Sequence, residues 1–178
     1  FFLSPDTYEQ LAEAGFRPPR TRGWYNLDYH ILQTSKDEPI IRRIRNEMLG
    51  ANIPIEFSKG EAAPGQHEIN LRYSDALEMA DNHTVFKNGV KEIAHLEGES
   101  ATFMAKPFAE QPGSSCHIHT SLWSPDGDTP LSGGDAGDGM SADMRAFVAG
   151  LQTHLADLTL LGAPNLNSYK RYQPESWA

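Results

Sequence analysis

The chain has 178 residues and a mass of 19.7 kDa, the length of one large domain or two small ones. With Gly counted and Tyr left out, about 44% of it is apolar, which excludes a disordered or collagen-like chain. Fifteen Lys and Arg against 24 Asp and Glu leave a net charge of -9, and no apolar run approaches the ~18 residues of a membrane helix, so neither nucleic acid nor membrane is an expected partner.

In chain order, Ser4-Pro5-Asp6 opens a short helix over 7–14 that Gly15 ends, and a Pro- and Arg-rich loop follows over 17–22. A stronger helix is expected over 37–49, with Pro39 in its first turn and Ile40, Ile41, Ile44 and Met48 as its apolar stripe. Residues 53–61 and 66–73 read as two strands around a Pro64-Gly65 turn. Ser74 and Asp75 then cap a long helix with Leu77, Ala80, Val90, Ile93 and Ala94 facing inward, weakened at Asn88-Gly89. A second strand pair is expected over 101–108 and 116–123, then a Gly/Asp/Pro loop over 124–139. Ser141 caps a last helix that turns Met144, Phe147, Val148, Leu151, Leu155 and Leu158 to one side. Helices mixed with hairpins, without strict βαβ alternation, predict an α+β fold of mainly antiparallel sheet with packed helices. The single cysteine, Cys116, forms no internal disulfide and fits a reducing compartment, the cytoplasm. With no Met at the start and no signal peptide before the first element, the chain reads as an excerpt from a longer protein.

Three stretches carry chemistry. In Glu61-Ala62-Ala63-Pro64-Gly65-Gln66-His67-Glu68, Pro64 and Gly65 specify a type II turn. A regular hairpin then pairs Ala63 with Gln66, Ala62 with His67 and Glu61 with Glu68. Like charges directly opposed are destabilising, and a divalent cation between them removes the penalty, oxygen ligands favouring Mg²⁺ or Mn²⁺. The same octapeptide also fits an exposed hairpin with two solvated carboxylates. On a strand from Cys116, His117, His119 and Ser121 share one face, which serves a metal and a phosphate or a structural histidine pair equally well. In Asn167-Ser168-Tyr169-Lys170-Arg171, the arginine is either a fork for a substrate carboxylate or a surface loop residue.

Together these stretches resemble the glutamine synthetase family over the whole of 1–178. The first is similar to the family's Glu-x2-Pro-Gly-Gln-His-Glu metal hairpin. Lys106-Pro107-Phe108 with Pro112-Gly113-Ser114, His117 and Ser121 resembles its ATP-region signature, and Asn167 to Arg171 its glutamate-binding motif. The resemblance implies that Glu61 and Glu68 hold a first divalent ion and His117 a second. It places His119 and Ser121 by the nucleotide phosphates, Tyr73 by the nucleotide, and Gly113 and Arg171 against glutamate, with Glu61 and Arg171 as the catalytic pair. The implied reaction joins the glutamate γ-carboxylate to ammonia or a primary amine through γ-glutamyl phosphate, with ATP as co-substrate. The implied assembly is a homo-oligomer with active sites between subunits. The alternative is a structural or binding relative that has lost catalysis, against which the retention of Glu61, Glu68, His117 and Arg171 counts.

Two departures stand out. The family's Gly-Ser-Gly reads Gly113-Ser114-Ser115, and Trp177 stands where ammonia-using members carry a flap glutamate. An indole cannot deprotonate ammonium, but it can wall a site for a larger amine, which resembles the branch that ligates glutamate to polyamines or ethanolamine and tips the expectation slightly toward a bulky amine. The family's N-terminal domain and the later part of its catalytic domain lie outside 1–178. Two carboxylates and one imidazole are too few to place two ions and a nucleotide, so this stretch alone is expected to be inactive.

Overall fold

The computed structural model describes residues 1–135 and 137–174. Their elements are β1 (Phe2–Ser4), α1 (Tyr8–Glu13), α2 (Ile31–Gly50), β2 (Ile55–Gly60), β3 (His67–Leu71), α3 (Ala76–Leu96), β4 (Ser100–Thr102), α4 (Ala142–Gly162) and α5 (Leu166–Tyr169). The fold is α+β, with two antiparallel two-stranded sheets, β1–β4 and β2–β3. The Phe2–Gln66 bridge and the bond from the Leu3 amide to the Gly65 carbonyl (2.8 Å) join the sheets end to side.

The apolar stripe of α2 is as expected. Ile40, Ile41, Ile44 and Met48 are buried against Phe86, Val90, Ile93 and Ala94 of α3, with Leu3, Ile53 and Ala101 closing the core. Thr7 closes a reciprocal capping box with Gln10 at the start of α1.

Four expectations are corrected. Helix α2 begins at Ile31 and carries Pro39 in its interior, with the Thr34 and Ser35 hydroxyls bonded to the carbonyls of His30 and Ile31, and burial of the stripe that follows the proline offsets its cost. In α3, Leu77 and Ala80 are exposed, since only the C-terminal half of the helix packs on α2. The second strand pair is absent: β4 is three residues long and pairs with β1, while the polar segment 116–122 has no ladder partner among the described residues. The Ser141 cap of α4 forms, but Leu151, Leu155 and Leu158 are exposed, because among the described residues no element covers that face.

Under the sheet lies a buried charge. Asp37 of α2 is 0% exposed; one carboxylate oxygen takes Arg22 Nε at 2.9 Å and the other lies 3.1 Å from His67 Nε2 of β3. Arg22 also pairs with Glu99. Burial pushes the Asp37 carboxyl up, but His67 and Arg22 outweigh it and hold it below the usual carboxylate range. Replacing Asp37 by Ala strands two polar partners in the core, so the expected loss is about 3–5 kcal/mol by chemical denaturation of the full-length protein. Because the folded value is depressed, the contribution of Asp37 is complete above about pH 4 and disappears as pH falls through the folded value. A denaturation series at decreasing pH checks the slope, which Asp37→Asn is expected to flatten.

Candidate active site

The turn between β2 and β3 forms as expected: Gly65 has φ +73° and the Gln66 amide donates to the Ala63 carbonyl at 3.0 Å. A side chain at Gly65 would be strained by that φ, and its Cβ would also fall 2.9 Å from the Arg22 amide nitrogen.

The register, however, is two residues away from the regular one. Gly60 pairs with His67 and Lys59 with Glu68, while the Glu61 amide donates to the Gln66 carbonyl at 2.8 Å. Side-chain bonds accompany the slip. Gln66 Oε1 accepts from the Ala63 amide (3.1 Å), the donor that the tighter ladder would use, and Glu61 Oε2 accepts from the Ala62 amide (3.0 Å). Glu61 therefore lies diagonal to Glu68 on the same face, within reach for long side chains.

The cation facing the two carboxylates here is Lys59. Its Nζ lies 2.5 Å from Glu61 Oε1, 3.5 Å from Glu68 Oε2 and 3.1 Å from Asp28 Oδ1. Burial alone would lower the Lys59 ammonium, but Glu61, Asp28 and Glu68 push it well above its ordinary value. The sequence reading missed Lys59, although its spacing of two from Glu61 on a strand was the available signal.

Gln66 ties this hairpin to the next motif. Its Nε2 donates to the Gly113 carbonyl (3.0 Å) and the Ser114 hydroxyl (3.2 Å). A Cβ on Gly113 would fall 2.4 Å from both the Ala105 carbonyl oxygen and Arg171 Cδ, so only glycine lets the arginine approach. Asn167 locks the arginine motif to Lys106 through two bonds of 2.8 Å, one to its amide and one to its carbonyl. Glu61, Glu68, Gln66, Gly113 and Arg171 thus form one connected frame.

The remaining candidates stand apart from it. His117 and His119 are exposed, His117 bonding Ser115 (3.2 Å), and the Ser121 hydroxyl accepts from the Trp123 indole (2.9 Å). Tyr73 is 85% exposed with Arg72 over its ring. Since 116–122 is not a strand, His117, His119 and Ser121 do not share a sheet face, and Trp177 lies outside the described residues. Among the described residues no three His, Cys, Asp or Glu side chains gather as a metal site. Two half-buried carboxylates already sharing one cation do fit part of the oxygen shell of Mg²⁺ or Mn²⁺.

Residues 2–178 match the model of the glutamine synthetase catalytic domain. The chain belongs to the glutamine synthetase family. It is 50% identical over its whole length to a gamma-glutamylethanolamide synthetase of Streptomyces coelicolor and 42% identical to a glutamate–isopropylamine ligase of a Pseudomonas species, spanning 38% and 39% of their lengths. Among solved structures, ligand-free GmaS matches with a TM-score of 0.78 at 38% identity, over 84% of this chain and 35% of that one. A Plasmodium falciparum glutamine synthetase matches at 0.75 and 27% identity, over 89% of this chain and 29% of that one.

Replacing Gly113 by Ala in this family member forces Arg171 or the Ala105 carbonyl to move. The expected destabilisation is about 1–3 kcal/mol by chemical denaturation.

Proposed function

We propose that this chain supplies the central part of the active site of an ATP-dependent ligase that joins the glutamate γ-carboxylate to a primary amine. The observation that carries the reading is the frame in which Gln66 links the Glu61–Glu68 pair to Gly113, against which Arg171 packs. The γ-carboxylate attacks the terminal phosphorus of ATP and ADP leaves, giving γ-glutamyl phosphate. The amine nitrogen then attacks the acyl carbon, inorganic phosphate departs, and the amine proton is lost as the amide forms.

Phosphoryl transfer depends mainly on positioning and charge neutralisation, and a bound divalent ion would supply much of the latter. Glu61 and Glu68 would hold the first ion and His117 the second. Arg171 would fork onto a glutamate carboxylate beside Gly113, while His119, Ser121 and Tyr73 would line the nucleotide. Homo-oligomeric assembly with shared sites and a cytoplasmic location complete the reading, the latter supported by the free, exposed thiol of Cys116.

One of the similar proteins is named for making gamma-glutamylethanolamide and another for ligating glutamate to isopropylamine, which together with Trp177 in place of the family's flap glutamate supports an alkyl amine over ammonia. Phosphate release by the full-length enzyme with glutamate, ATP and each of ammonia, ethanolamine, isopropylamine, putrescine or spermine tests this. The expected result is a higher kcat/KM for an alkyl amine; the highest value with ammonia would contradict it. Glu68→Gln is expected to lower kcat by more than about 100-fold, beyond the cost of disturbing a group that merely supports a metal ligand.

A further inference from the structure

Lys59 is a partly buried cation with no role in the scheme above, and it lies among the very carboxylates that scheme assigns to metal. Its side chain is only 20% exposed, and its ammonium contacts Glu61, Asp28 and Glu68, with the Gly60 carbonyl at 3.4 Å and the Tyr29 ring face 5.0 Å away. We propose that Lys59 is a built-in counter-ion that competes with the divalent ion for Glu61, so that the Lys59–Glu61 bond and a bound ion exclude one another. The inference rests on the reading of Glu61 and Glu68 as metal ligands.

Two like-charged carboxylates on one strand face repel, and without an ion something must offset them. Lys59 does so from the position directly opposite Glu68. An ion on Glu61 would need a carboxylate oxygen at about 2.1 Å. The oxygen Glu61 Oε1 already carries an ammonium at 2.5 Å, and the other, Oε2, is engaged by the Ala62 amide at 3.0 Å. Two cations on one oxygen repel, and more strongly in this partly buried site than in open water. One must leave.

The same geometry shows where Lys59 goes. Asp28 and the Tyr29 ring are partners that Glu61 does not share, so the ammonium can release Glu61 and keep a carboxylate and an aromatic face. The flanking loop thus stores the cation while the ion is bound. Without Lys59 the carboxylates would bind ions more tightly; without Asp28 the lysine would hold Glu61 more firmly and ions would bind more weakly.

The test is a Mn²⁺ titration of the full-length protein without nucleotide, read by calorimetry and by the electron spin resonance of free Mn²⁺. For the site that Glu61→Gln abolishes, Lys59→Met and Lys59→Gln are expected to tighten Kd about tenfold, the scale of one partly buried charge contact. Asp28→Asn is expected to weaken Kd. Arg45→Met, which removes a charge bound to Glu38 and Ser58 and not to Glu61, is expected to leave it within about twofold. An unchanged or weaker Kd in both Lys59 variants, or equal tightening in Arg45→Met, overturns the competition while leaving the metal reading intact. If Glu61→Gln and Glu68→Gln both bind Mn²⁺ as the parent does, the metal reading fails and the competition with it.

Discussion

Asp37 is the charge around which the described part of this chain is organised. It is fully buried on α2, and its two carboxylate oxygens engage the Arg22 loop and His67 of β3. Arg22 continues to Glu99, one residue before β4. A buried carboxylate without these partners would cost several kcal/mol, so helix, loop and strand are obliged to meet at one point. The consequence reaches the surface through the period of a strand. With His67 turned inward to Asp37, Glu68 must turn outward, because a slip of one residue would exchange the two faces.

That constraint explains what was and was not legible in the residues. The stripe Ile40, Ile41, Ile44 and Met48 identified α2 because burial repeats at helical spacing. Its first two turns were hidden, since Thr34 and Ser35 are weak helix formers and Pro39 reads as a first-turn residue. Pro64-Gly65 marked the hairpin turn, but not its register, which goes with where the side chains of Glu61 and Gln66 find donors. The strand expected at 116–123 rested on alternation alone, and alternation without a partner makes no ladder. The leucines of α4 show the same limit from the other side: a periodic apolar face states that something should cover it, and not what.

The structure links four of the candidate site residues through hydrogen bonds and packing. Glu61, Glu68 and Arg171 stood out from motif chemistry and Gly113 from the family resemblance, and Gln66 supplies the physical link among them. Lys59 escaped notice because a carboxylate pair was expected to face an ion, and a neighbouring lysine performs the same electrostatic task. Side-chain amide bonds, a glycine-sized gap and one ammonium together set the distances at which acidic groups of this glutamine synthetase relative coexist.

The central claim is that the Glu61–Glu68 pair is a divalent-ion site, and anomalous diffraction from crystals of the full-length protein soaked in Mn²⁺ tests it most directly. The account predicts an anomalous peak about 2.1–2.3 Å from carboxylate oxygens of both Glu61 and Glu68, with the Lys59 ammonium moved toward Asp28. Full Mn²⁺ loading elsewhere in the molecule, with no peak at this pair and Lys59 still bonded to Glu61, would contradict it.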